Sequence, residues 1–376
     1  MSQFTIYKSS DGSAPSITNV AGTLFQALRK ILVAGYGSQS GAGWTNPTVT
    51  NNDATIANVT RGAFLNASAA NPTGGGGAAG FYLDVDDTAD VPTAAGNEAR
   101  IRGFESMSGV GTGSGQFPNP AAAQYSRGCE VSPYGWLNVR KSKDANAKTW
   151  VAFADAYTLY FFILSEATSQ YQSFIFGDFY SLCGTSDNWR CMIGGRGGEN
   201  SAGFSLGSTD MFSVMPNASS SLAGCLGCSG SQTPITFYLN RTYGGGGSTG
   251  ITAGRHGDAL KNGNATSLDY GYLVFSFPTA TYSTGGLQTP NGPDNSYYVS
   301  PIWVHEPGIY SGGITAGTVR GRMRGFWQIC HPVGSFSDGQ IFTATGALQG
   351  KTFYIIKTLE NGGCLAIETS ATLETN

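Results

Sequence analysis

Three histidines, seven cysteines and a run of aspartates carry the acid–base and metal-binding chemistry open to this chain. A hydrolytic centre needs a nucleophile within hydrogen-bond reach of a base, and histidine is the usual base. His256 lies in the polar stretch GRHGD, His305 in WVHEPG, and His331 directly follows Cys330. No GxSxG elbow accompanies them, so each is read as a loop or strand-end residue satisfied by its backbone neighbours. GALQGKT, from Gly346 to Thr352, looks like a phosphate-binding loop but has one residue too few between its glycines. A strand-like FYII follows it, where a phosphate cradle needs a helix N-terminus. Asp84, Asp86, Asp87 and Asp90 lack the glycine and terminal glutamate of a calcium loop. Glycoside hydrolysis would need two acids facing across a cleft. Asp84 and Asp86 instead fall on one face of a strand, where cross-strand arginines such as Arg100 and Arg102 are the expected partners. Calcium binding and acid catalysis remain the lesser alternatives for this cluster.

Cys225 and Cys228 share the only CxxC spacing, in LAGCLGCSGS. A structural zinc site needs two more ligands, and the adjacent Cys330 and His331 are the one candidate pair. A redox reading needs a helix start after a strand, which this Gly/Ser loop does not offer. The thiols are inert, oxidised after release into an oxidising medium, or metal-bound, in that order of preference; no metal or cofactor is expected. Cys225 and Cys228 are the candidates for a bond to another subunit, since a bridge between the two would close a small, strained loop. Cys129, Cys183, Cys191, Cys330 and Cys364 border strand-like segments and are expected to be buried and inert. Tyr243, Tyr282, Tyr297 and Tyr298 lie in polar loops. They suit either sugar stacking or subunit interfaces, where tyrosine is enriched, and the interface is favoured.

One helix is predicted, from about Thr23 to Ala34. Leu24, Phe25, Leu28, Ile31 and Leu32 share one face of it, Thr23 is placed to cap its start, and Gly35 suits the C′ position. Everything after Trp44 reads as strand and turn. GFYLDVDD alternates, with Phe81, Leu83 and Val85 on one side and Tyr82, Asp84 and Asp86 on the other. EARIRGFESM alternates likewise. TWVAFADAYTLYFFILS and YQSFIFGDFYSL are aromatic and β-branched throughout, as suits buried central strands. Glycine clusters at 74–77 and 244–247 punctuate the run. RIRGF at Arg100 and RMRGF at Arg322 echo each other, but the flanking echoes run in reversed order, so recurring turn chemistry explains them as well as duplication does.

Fifty-five of the 376 residues are glycine and only 12% are charged, yet the chain keeps 21 Phe, 18 Tyr and 6 Trp. Aromatics on that scale supply the buried area that offsets ordering entropy, which a disordered linker lacks. The expected fold is all-β: a sandwich or partly closed barrel with long Gly-rich loops and one short N-terminal helix. An N-terminal segment 1–45 would precede β-rich regions 46–230 and 231–376, the latter two joined or separate. A net charge of −3 argues against nucleic acid as partner. No stretch is a membrane span, and the N-terminus lacks a signal peptide's pattern. A charge-poor exterior suits repeated contacts with copies of itself and other subunits.

Several segments together resemble a family of uncharacterised virion proteins of tailed bacteriophages. They are FTIYKSSDGSAP…GYGSQSGAGWT, FYLDVDD…ARIRGFESMSGVGTGSGQFP, KTWVAFADAYTLYFFI…FGDFYS and VRGRMRGFWQICHPVG…GALQGKTFYIIKT…LAIETS. The resemblance is collinear over nearly the whole chain. It implies a non-enzymatic structural component of the particle, assembled in the host cytoplasm and located in the virion. The neck/collar or tail periphery is the preferred position. A host-recognition or carbohydrate-binding module on the tail or baseplate, meeting a host surface glycan, is the alternative. An envelope glycan hydrolase is the second.

Overall fold

The computed structural model describes residues 4–47, 59–70, 72, 79–88, 98–118, 135–165, 171–196, 235–245, 249–255, 271–275, 299–306, 318–329, 336–357 and 364–370. Strand β1 (Thr5–Lys8) leads to helix α1 (Thr23–Arg29), which continues as a π-helical turn over Lys30–Ala34. Then come β2 (Arg61–Leu65), β3 (Tyr82–Asp86), β4 (Glu98–Phe104), the small hairpin β5 (Ser106–Gly109) and β6 (Thr112–Ser114), and β7 (Leu137–Arg140). The middle of the chain forms β8 (Trp150–Ala154), β9 (Thr158–Ile163), β10 (Gln172–Asp178), β11 (Tyr180–Ser181), β12 (Cys191–Arg196) and β13 (Ile235–Leu239). β14 (Thr249–Arg255), β15 (Gly271–Phe275), β16 (Val299–Glu306), β17 (Thr318–Ile329), β18 (Ile341–Thr343), β19 (Thr352–Lys357) and β20 (Cys364–Glu368) complete the set. The fold is all-β, as the composition indicated.

Pairing is antiparallel except between β14 and β15. One ladder runs β1-β8-β9-β10-β12-β13, continues through β14 to β17, and ends β20-β19-β18. A branch leaves β12 through β7 to β4, β3 and β2. Among the described residues the ladder stays open and closes no barrel.

The strands stack as layers because β8, β9 and β10 are apolar on both faces, and every residue in them is buried. Trp150, Ala152, Phe161, Phe174 and Phe176 face one core, which they share with the helix and with Leu83, Val85, Ala99 and Ile101. Val151, Phe153, Tyr160, Phe162 and Ile175 face the other, against Ile302, Met323, Phe326, Tyr354 and Ile367. Such unbroken apolar runs mark strands covered on two sides. Phe161 stacks on both Trp150 and Phe174, at centroid distances of 6.0 and 5.0 Å. Each fully buried aromatic is worth about 1.5–3 kcal/mol over exposure.

The helix buries Leu24, Phe25, Leu28, Ile31 and Leu32 completely, and Gly35 ends it at φ +77°. Its start departs from expectation. Gly22 occupies the N-cap with no side-chain bond, and the Thr23 hydroxyl donates to the carbonyls of Thr18 and Val20 instead. The Asp87 carboxylate, 63 positions from Leu24, accepts the Leu24 and Phe25 N–H groups at 2.8 and 3.2 Å. A charged acceptor binds those N–H groups better than a neutral hydroxyl.

Candidate subunit-contact surface

Five large apolar side chains are exposed among the described residues: Val20, Leu182, Tyr243, Val319 and Ile341. Leu182, Tyr243 and Val319 come from three different segments that one buried ion pair ties together. Arg320, near the start of β17, grips Asp187 in bidentate fashion, with Nε to Oδ2 at 2.9 Å and Nη2 to Oδ1 at 2.7 Å. Arg320 and Asp187 are 1% and 0% exposed at their side chains. Ser181 donates its hydroxyl to Asp187 Oδ2 at 2.7 Å, and the Trp189 N–H donates to Oδ1 at 3.1 Å. Burial alone would raise the Asp187 carboxyl. The guanidinium and these donors outweigh it and hold the group below its ordinary value.

The same arginine fastens the rim. Its Nη1 donates to the Arg241 carbonyl, and its own carbonyl accepts the Leu182 N–H at 2.8 Å. Tyr180 and Ser181 pair with Arg322 and Gly321, so β11 lies against the first half of β17. Gly321 is required there, because a Cβ would stand 2.0 Å from the Tyr180 carbonyl oxygen. Arg241 in turn binds both carboxylate oxygens of Glu105, which raises its own pKa. The Tyr243 hydroxyl sits 3.4 Å from that of Ser186. Leu182, Val319 and Tyr243 each stand within two residues of this polar anchor, beside Ser181, Arg320 and Arg241, and form its apolar rim at 56%, 40% and 44% exposure. Cys183, next to Leu182, is a free thiol and partly exposed, which corrects its expected burial; it follows the end of β11 and lies on the rim. Cys191 is buried as expected, and burial pushes its thiol well up, which leaves it unreactive.

The acidic cluster is resolved by register. Asp84 lies opposite Arg102 and Asp86 opposite Arg100 across β3 and β4. Their ion pairs measure 2.9 and 2.8 Å. Arg61, Arg100 and Arg102 all lie over the Trp136 ring, Arg102 closest at 3.9 Å. These carboxylates are spent on structure. Asp87 pairs with Lys141, and Asp90 lies outside the described residues. GALQGKT forms a short 3-10 turn followed by β19, and Lys351 binds Glu368 at 2.7 Å rather than facing a phosphate cradle. The echoed arginines behave alike, since Arg324, like Arg102, pairs with a buried aspartate (Asp155) and lies over aromatic rings.

Of the CxxC pair and the four loop tyrosines, only Tyr243 is described. Cys225, Cys228, Tyr282, Tyr297 and Tyr298 lie outside the described residues, as do His256, His331 and the side chain of His305. Among the described residues no group of three or more His, Cys, Asp or Glu is placed to hold a metal ion. No helix among them is long and apolar enough to cross a membrane. Leu182 and Val319 were missed because neither stands out in a sequence, and the pairing of β11 with β17 that brings their segments together is long-range. No family model matches the chain, and no curated protein matches it.

Proposed function

We propose that this chain is a non-enzymatic structural subunit of a tailed-bacteriophage virion, placed at the neck/collar or tail periphery. Leu182, Val319 and Tyr243 would make contact with a neighbouring subunit. The observation that carries the reading is this rim: three exposed apolar side chains held by a bidentate ion pair whose side chains are 0–1% exposed. Rigid presentation lowers the ordering cost of association, and tyrosine beside aliphatic side chains is typical of an interface core. The collinear resemblance to virion proteins and the charge-poor, Gly- and aromatic-rich composition support the same assignment.

The test is competitive incorporation. Cells producing the phage would carry a tagged Leu182→Asp, Val319→Asp double variant beside the tagged wild-type chain. The variant should fold with an unchanged far-UV spectrum and be depleted from purified particles. Incorporation at the wild-type level would remove the rim from the interface.

A further inference from the structure

Lys141 and Asp87 form a pair in which both side chains have zero exposure. Two other lysine–carboxylate pairs keep some exposure, at 9% and 35% for Lys148–Asp144 and 16% and 2% for Lys351–Glu368. Buried partners of carboxylates elsewhere in the fold are arginines, such as Arg320 and Arg324. The fully enclosed position is filled by the one cation that can shed its proton and become a nucleophile.

The hydrogen-bond inventory fits a different chemical group better than it fits two ions. An ammonium has three N–H donors. Lys141 Nζ meets two acceptors, the Val20 carbonyl at 2.6 Å and Asp87 Oδ1. Among the described residues the third donor meets no acceptor although the Lys141 side chain is fully buried, which is costly for a charged group. Asp87 Oδ2, by contrast, accepts two backbone N–H groups, from Leu24 and Phe25. A secondary amide between the two side chains has one N–H, matched by the Val20 carbonyl. Its one carbonyl oxygen has two lone pairs, matched by Leu24 and Phe25. Every polar atom of that amide is satisfied by groups already in place.

We propose that Lys141 and Asp87 condense to an intramolecular side-chain amide, an isopeptide bond that ties the end of β3 to the end of β7 beneath the start of α1. Burial pushes the Asp87 carboxyl up to about 6 and the Lys141 ammonium down, towards the neutral acid and neutral amine the condensation uses. Lys141 Nζ attacks the Asp87 carboxyl carbon. Charge developing on Oδ2 falls where the Leu24 and Phe25 N–H groups point. The Nζ–Cγ bond forms, the Cγ–Oδ1 bond breaks, and Oδ1 leaves as water with the acid's own proton and one from the amine. No oxidant or co-reactant enters the balance.

The full-length chain, purified and measured by intact mass under denaturing conditions, should be one water lighter than its sequence. Tryptic digestion should leave Lys141 uncut and yield a branched peptide joining the segments that carry Lys141 and Asp87. Lys141→Arg and Asp87→Ala should each restore the full sequence mass. Asp87→Asn, if it condenses, loses ammonia instead and converges on the same product mass as the linked wild type. The wild-type measurement decides the matter whether or not the variants fold. A wild-type chain at full sequence mass, or a water loss that maps to another residue, overturns the proposal.

Discussion

Asp178 offers the clearest thermodynamic consequence of the layered fold. It ends β10, buried, and its Oδ2 accepts the Ser68 hydroxyl at 2.5 Å while Arg190 Nε stands 3.3 Å away. Its Oδ1 is buried with no hydrogen-bond partner among the described residues. Arg324 and the like-charged Asp155 complete the charges around it. Burial dominates and lifts the carboxyl from 3.8 to about 6. An acid with a raised folded pKa binds more protons folded than unfolded across that interval, so stability falls as pH rises from about 4 to about 6. Each pH unit is worth about 1.4 kcal/mol, so the ionised group costs the fold about 3 kcal/mol at neutral pH. Asp178→Asn keeps an acceptor for Ser68 and removes the charge. It should leave stability at pH 4 within about 1 kcal/mol of wild type and raise it by up to about 3 kcal/mol at pH 7. Denaturant melts of both proteins at half-unit intervals from pH 4 to pH 7 would measure this. A variant less stable than wild type at pH 7, with an unaltered slope below pH 6, would refute the burial argument.

Other outcomes are expected from the same geometry. Arg320→Ala strands the enclosed Asp187 carboxylate and should cost about 3–5 kcal/mol in denaturant melts; Arg320→Lys should rescue only part of that, because an ammonium cannot make the bidentate contact. Gly321→Ala should cost about 1–3 kcal/mol by driving β11 off β17, and faster amide exchange at Tyr180–Leu182 would register it. Leu182→Asp alone should shift the stability of the isolated chain by no more than about 0.5 kcal/mol, since an exposed rim residue contributes little within the subunit.

What the sequence disclosed was local, and what it concealed was long-range. Alternation with period two placed Asp84 and Asp86 opposite arginines correctly, because cross-strand partners of a short meander are close in the chain. The continuous apolar runs of β8 to β10 likewise announced strands buried on both sides. The helix end was legible in Gly35, but its start was not. The capping carboxylate of Asp87 lies 63 positions from Leu24, and its lysine a further 54 from Asp87. No window of local periodicity holds three such residues. The rim had the same difficulty, since the segments that carry Leu182, Tyr243 and Val319 are joined only through Arg320. Cys183 was misread because bordering a strand says nothing about which side of it is covered.

The proposed virion assignment is tested most directly by quantitative mass spectrometry of infectious particles purified from cells that produce this chain. It predicts the chain in a fixed ratio to the other particle proteins, retained through gradient purification and high-salt washing. A chain left in the lysate, with none in the particles, would contradict it.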